Sequence, residues 1–234
     1  MDEDLGTHLF LYQGLTLRID DGVQVPKGGT LLLARQVPAL ARGGVLDLGT
    51  GCGLLALLAA RGAARVVATD VVETCVRCAW RNVLLNGFEL KVDVRLGDLF
   101  APVAGETFDV ILTNPPQMPT PQDREADGDG AAADDGGPDG WAILDRVIRE
   151  APTYLKPGGQ LVFTLFDFLG EQNGFSRLKE VGLSPAVIAR ETHPFPRLGR
   201  ERMEHIRSVV AEGTLPPTGI PAICERLVIC GRKA

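Results

Sequence analysis

The run Val45-Leu46-Asp47-Leu48-Gly49-Thr50-Gly51-Cys52-Gly53, followed at once by the apolar stretch Leu54 to Ala60, constrains the fold more than any other part of the chain. It reads as a buried strand, a sharp glycine turn and a helix. Glycine accepts positive φ and puts no Cβ in the way of a ligand. The unpaired N–H groups of the helix's first turn then face whatever lies against the bend. Asp47 limits what that can be. A carboxylate here repels a phosphate, so the ligand should bring a positive or hydrogen-donating group. A dinucleotide turn of the G-x-G-x-x-G type is also a poor match, because the third glycine comes one residue early and Leu54 stands in its place.

The same unit recurs downstream. Arg65 to Asp70 is a second apolar run ending in an acid, 21 positions after Gly49. At the end of a second strand such an acid can grip the two hydroxyls of a ribose, and the competing reading is a helix N-cap. Val72, Cys75, Val76, Ala79, Val83 and Leu84 recur at helical spacing, and Asn86-Gly87 stops that helix. Val92 to Leu96 alternates as a third strand and runs into Gly97-Asp98-Leu99-Phe100. There Asp98 could accept from a base amine while Leu99 or Phe100 packs on the ring; a surface loop is the alternative. Phe108 to Thr113 is a fourth strand, delivering Asn114-Pro115-Pro116-Gln117. A helix from Trp141 to Tyr154, a tight turn at Lys156-Pro157-Gly158-Gly159 and a strand from Gln160 to Phe166 follow. Phe175 to Val181 reads as helix, Ala186 to Ala189 as strand, and Glu225 to Cys230 as a closing strand. Upstream, Leu9 to Tyr12 and Leu15 to Ile19 form a hairpin with Gly14 at its turn; Val25 to Thr30 is a loop and Leu31 to Ala41 a helix.

Alternating strands and helices predict an α/β fold with a mostly parallel sheet covered on both faces. Ligands bind such sheets outside the carboxyl ends of the strands. Asp47, Asp70, Asp98 and Asn114 all stand at such ends, so they converge on one rim.

We read residues 1–234 as one domain with an N-terminal extension (1–30), an acidic flexible loop (118–138) and a C-terminal insertion (192–221). The net charge of −6 is local: seven acids and one arginine lie between Asp123 and Asp139. Asp127-Gly128-Asp129-Gly130 begins like a calcium loop but lacks the later ligands. Arg190, Arg197, Arg200, Arg202 and Arg207 read as a solvated face rather than a nucleic-acid footprint. Five cysteines with no export signal read as reduced thiols, and the Cys75/Cys78 pair falls inside a helix, so no metal site is expected. The acidic N-terminus and the lack of an apolar run of about 20 residues suggest a cytoplasmic protein without a membrane span.

The D-x-G-x-G-x-G turn resembles motif I of class I S-adenosylmethionine (SAM)-dependent methyltransferases. Asn114-Pro115-Pro116 resembles the (Asn/Asp)-Pro-Pro-(Tyr/Phe) motif of their amino-methyltransferase branch. Within it, the chain is most similar to HemK-like glutamine methyltransferases of peptide-chain release factors. That similarity rests on Asn-Pro-Pro, on Ala79…Asn82…Asn86-Gly87, and on Gly136-Gly137-Pro138-Asp139-Gly140 ahead of a helix leading to Leu155-Lys156-Pro157-Gly158-Gly159. The resemblance covers residues 25–170 and implies a Rossmann-like, doubly wound, seven-stranded sheet that binds SAM. It places Asp47, Gly49, Thr50, Gly51, Gly53, Asp70, Val71, Asp98, Leu99 and Asn114 at the cofactor. Thr30, Pro116 and Gln117 fall to the acceptor, and Asn114 and Pro115 to catalysis.

The residues themselves support that chemistry. Asn114 is biased to extended backbone by the proline after it, and neither proline has an N–H. The stiff loop offers two acceptors, the Asn114 side-chain carbonyl and the Pro115 carbonyl, which suit an –NH₂ group with two hydrogens to give. Holding both orients the nitrogen toward an electrophilic methyl and stabilises charge growing on it. Two departures matter. Gln117 replaces the usual aromatic, removing a face on which a nucleobase would stack; this counts against nucleic acid more than against a protein glutamine. The helical N-terminal domain of bacterial release-factor enzymes is not recognisable here either. A small-metabolite amine acceptor, with 192–221 forming much of its pocket, is therefore the alternative, followed by adenine methylation in nucleic acid and a non-catalytic SAM-binding subunit. The oligomeric state is open.

Overall fold

A computed structural model describes residues 8–121 and 134–234. The chain enters through the expected hairpin, β1 (His8–Tyr12) and β2 (Leu15–Ile19). Its turn carries Gln13 and Gly14, both at positive φ (47° and 77°), the geometry that matches the twist of a two-residue hairpin. The helix expected over Leu31 to Ala41 is two: α1 (Gly28–Ala34) starts earlier, and α2 (Val37–Leu40) follows a break. Pro38 explains the break, since it has no N–H to give the carbonyl of Ala34 and its ring would clash there.

Next come β3 (Gly44–Leu48), α3 (Leu54–Ala60), β4 (Arg65–Asp70), α4 (Glu73–Leu85), β5 (Val92–Leu96) and β6 (Phe108–Thr113). They are followed by α5 (Ala142–Tyr154), β7 (Leu155–Phe166), α6 (Glu171–Glu180), β8 (Leu183–Pro194), α7 (Arg197–Glu201), α8 (Met203–Val209) and β9 (Ile223–Lys233). Three of these differ from expectation. β7 begins at Leu155 because Leu155 pairs with Phe108 and Gln160 with Val110, leaving the proline-glycine turn as a bulge within the strand. α6 begins four residues early, and β8 is a 12-residue edge strand whose end occupies the start of the 192–221 segment. The Asp127–Gly130 stretch lies outside the described residues.

Seven strands form one sheet in the order β5-β4-β3-β6-β7-β9-β8, parallel from β5 to β7 and antiparallel across β9. The chain winds outward from β3 to β5 and then returns to the far side of β3 as β6. The order therefore reverses between β3 and β6, where such sheets open a ligand crevice. Both faces are covered. Every residue of α3 is buried, which is why that helix is apolar all round. On the other face α5 buries Leu144, Val147 and Ile148 against β6 and β7.

Candidate active site

A cavity of about 630 Å³ opens at this reversal. Register explains why the two sequence motifs share it. Leu48 pairs with Thr113, and the Thr113 hydroxyl donates to the Leu48 carbonyl at 2.9 Å, so Gly49 and Asn114 leave the sheet side by side.

The glycine turn is pinned from below. Gly49 and Thr50 both donate N–H to the Thr69 carbonyl at 2.9 Å. Gly49 and Gly51 hold positive φ (71° and 56°), and a Cβ on either would meet nothing within 4 Å. Their bare faces form a cradle open to the cavity. Gly53 is set back from it: a Cβ there would lie 3.3 Å from Ala79 Cα, so this glycine admits α4 rather than a ligand.

Asp47 is also set back, contrary to the expectation of direct ligand contact. It is fully buried behind the turn, where Oδ2 accepts from the Thr50 hydroxyl (2.7 Å) and the Ala56 N–H (3.1 Å). Burial pushes its pKa up to about 7. Asp70 does line the cavity while bracing it. Its Oδ2 accepts from Gly51 N–H (2.9 Å) and Oδ1 from Val72 N–H (3.0 Å), so one carboxylate braces the turn and also borders the cavity, while the helix N-cap itself is Val72. Four lone-pair sites on a carboxylate leave room for two more donors. Val71, Leu99 and Asp98 line the same end. The Asp98 carboxylate, however, is paired with Arg146 of α5 at 2.5 Å. Both side chains are about half exposed, so the pair is weak and exchangeable.

At the other end, Thr30, Asn114, Pro115, Pro116 and Gln117 line the wall. Gln117 does not present its amide to the cavity. It is 3% exposed, and its side chain is spent on β7. Nε2 donates to the Thr164 carbonyl (2.7 Å) and hydroxyl (3.2 Å), and Oε1 accepts from Phe166 N–H (3.3 Å). Those backbone partners cannot reverse polarity, so the orientation of the amide is fixed. The Thr164 hydroxyl, accepting from Gln117, gives its own proton to Asn114 Oδ1, and Asn114 Nδ2 donates to the Thr30 hydroxyl at 2.9 Å. A chain of polar groups thus sets which way the Asn114 carboxamide faces, and leaves its carbonyl a second lone pair.

Three residues here escaped the sequence reading: Thr164, Phe166 and Arg226. A threonine inside the apolar run Leu161 to Phe166 and an arginine leading the last strand were the available signals. Arg226 sits opposite Phe166 in register, with its guanidinium 3.1 Å from the ring centroid. The cysteines take no part in this polar network; burial pushes Cys52 and Cys75 up to about 12.

Residues 23–126 match the family model "Methyltransferase small domain". A Methanocaldococcus jannaschii protein provisionally assigned as a protein N5-glutamine methyltransferase is 36% identical over 187 residues, covering 80% of this chain and 93% of the relative. The release factor glutamine methyltransferase of Rhodospirillum rubrum is 37% identical over 188 residues, 77% of this chain and 55% of that enzyme. The chain thus spans nearly all of the archaeal relative but about half the length of the bacterial one. Among solved structures, the M. jannaschii tRNA m1G37 methyltransferase superposes with a TM-score of 0.65 at 14% identity, covering 99% of this chain and 58% of the other. A ribosomal protein L11 methylase from Lactobacillus delbrueckii subsp. bulgaricus gives 0.55 at 21% identity, covering 89% and 82%. At such identities they speak for the fold alone.

Sheet order, glycine cradle and Asn-Pro-Pro loop define a class I methyltransferase that uses SAM and methylates nitrogen. The chain belongs to the HemK-like family of glutamine methyltransferases.

Proposed function

We propose that this enzyme methylates the side-chain amide nitrogen of a glutamine in a protein. The observation that carries the reading is Asn114: a carboxamide whose orientation is fixed by Thr164 and Thr30, at the cavity wall beside the glycine turn. SAM, when bound, supplies a methyl group on a positively charged sulfur. The chain supplies its placement. Gly49, Thr50 and Gly51 would make room for the amino-acid end, Asp70 would accept from the ribose hydroxyls, and Val71 and Leu99 would wall the adenine. Asp98 would accept from the base amine in place of Arg146. Asp47 and Gly53 act from behind by shaping the turn.

On the acceptor side, Asn114 Oδ1 and the Pro115 carbonyl take the two hydrogens of the –NH₂ group. That aims the nitrogen and stabilises the positive charge that builds on it, with no strong base required beforehand. Thr30 and Pro116 complete the wall. Relatives named as acting on release factors and on ribosomal protein uL3 make proteins of translation the first acceptors to test, which also suits a cytoplasmic enzyme. Among the described residues no helix is long and apolar enough to cross a membrane.

The test is incubation with methyl-labelled SAM and, separately, a release factor, ribosomal proteins, RNA and a metabolite extract. Label should appear on a protein glutamine, mapped by peptide mass spectrometry. Label on RNA, or only on small molecules, would overturn the glutamine reading.

A further inference from the structure

Arg226 is conspicuous among the cations of this molecule. It lines the cavity, lies over the Phe166 ring, and among the described residues no carboxylate pairs with it and no oxygen accepts a hydrogen bond from it. The acids that act on it, Asp134 and Asp167, do so only through space, and Asp134 Oδ2 is already engaged by Gln24 at 3.2 Å. Most other arginines on this fold are tied up: Arg35 with Glu191, Arg65 with Glu106, Arg177 with Asp145, Arg190 with Glu171 and Glu225. A desolvated guanidinium with five donors and no acceptor is costly to keep, and burial lowers its pKa to about 10, which still leaves it charged at neutral pH.

Its position relative to Asn114 gives it a use. A Cβ added to Gly29 would lie 3.0 Å from Arg226 Nη1 and 3.1 Å from Asn114 Oδ1, so a donor and an acceptor flank the same point on the cavity wall. A carboxamide presents the complementary pair, an –NH₂ that donates and a carbonyl that accepts, on one planar group. An alkylamine has no such acceptor, and when protonated it brings a second positive charge toward the guanidinium.

We propose that Arg226 is the specificity residue of the acceptor site: it donates to the carbonyl oxygen of the acceptor carboxamide whose nitrogen Asn114 and Pro115 hold, and so selects an amide over an amine. This rests on the glutamine reading and deepens it. The contact orients the acceptor; it makes and breaks no covalent bond. The Phe166 ring beneath the guanidinium holds it in place through a cation–π contact.

The experiment compares wild type, Arg226→Met and Arg226→Lys on two synthetic peptides that differ at one side chain. One peptide carries the acceptor glutamine; the other carries ornithine, which has the same reach but an ammonium in place of the carboxamide. Methyl transfer, inhibition by the ornithine peptide and calorimetric affinity for S-adenosylhomocysteine are measured together. Wild type should methylate the glutamine peptide and be poorly inhibited by the ornithine one. Arg226→Met should lose roughly ten- to a hundred-fold in kcat/KM on glutamine, mostly through KM, the loss expected for a hydrogen bond to a charged group. It should also be inhibited more strongly by the ornithine peptide, with cofactor affinity unchanged. Arg226→Lys should keep the exclusion of ornithine while recovering only part of the glutamine activity. An Arg226→Met enzyme with unchanged kcat/KM and unchanged ornithine inhibition overturns this inference while leaving the glutamine reading intact. A wild type that methylates ornithine but not glutamine overturns both, as does one that methylates neither.

Discussion

Gln117 shows how one buried side chain can orient another at a cavity wall. It is held at both ends by backbone groups of β7, and through Thr164 it dictates the facing of Asn114. Gln117→Leu keeps the volume and removes the relay, so kcat should fall about ten-fold while cofactor affinity holds, the buried hydrogen bonds lost being those that orient the clasp. Steady-state kinetics beside calorimetry reads this directly; an unchanged kcat would mean that Asn114 needs no such support. From sequence, Gln117 was read as an acceptor-site residue and as a missing aromatic; its role as a relay was hidden, because its partner lies 47 residues away across a strand pairing that no local pattern reports. Asp47 was read as an acid facing the cofactor, not as one buried beneath the turn. Its fold-state pKa stands near 7 against an ordinary 3.8, so the fold disfavours the charged form. Below about pH 4 both states keep the proton and nothing is lost; between pH 4 and 7 the unfolded chain releases it first, and stability falls as pH rises. Asp47→Asn removes that slope. Across this window the wild type should lose a few kcal/mol relative to the variant in denaturant unfolding. Parallel pH curves would contradict the assignment.

The hairpin is fastened to the rest of the fold by an unusual edge. Thr16 of β2 exchanges two hydrogen bonds with the Asn86 amide (3.1 and 2.8 Å), and Arg18 does the same with Asn82 (2.8 and 2.9 Å). Asn82 on α4 and Asn86, which caps that helix one turn later, therefore stand in for a neighbouring strand. Asn82 also donates to the Cys52 carbonyl at 2.9 Å, joining hairpin, helix and glycine turn through one fully buried amide. Asn82→Ala leaves those backbone groups without partners and should cost about 2–4 kcal/mol of stability. Hydrogen exchange should then speed up at residues 15–19 and at the glycine turn before it does elsewhere. Protection retained there would show that apolar packing alone seats the hairpin. The sequence marked Asn86-Gly87 only as a helix stop, which it is, with Gly87 at φ 71°. Its second use depends on β2, 70 residues earlier. The edge strand β8 was underread for a different reason. Most of its residues alternate between exposed and half-buried, so the hydrophobic alternation that flags a strand is faint.

The rim of polar groups was legible because parallel topology alone brings strand ends together: once β3 to β6 were read as parallel strands, Asp70, Asp98 and Asn114 had to share a side. What topology could not announce was the antiparallel pair β7–β9, whose register sets Phe166 opposite Arg226 and brings a cation to the Asn114 end of the cavity. The glycine-turn half of the cavity is thus local and readable, built from turns that each follow their own strand. The Asn114 half draws on α1, β6, β7 and β9, and sequence showed Thr30 and Asn114 there but not their partners on β7 and β9. All of it serves one claim, that Asn114 Oδ1 and the Pro115 carbonyl clasp the nitrogen that receives the methyl group. The most direct test is single-turnover methyl transfer to a glutamine acceptor by Asn114→Ala, run beside calorimetric binding of S-adenosylhomocysteine. Transfer should fall at least about a hundred-fold, the scale of losing a preorganised charge-stabilising acceptor, while cofactor affinity stays within a few-fold of wild type. Turnover equal to wild type would remove Asn114 from the reaction and the claim with it.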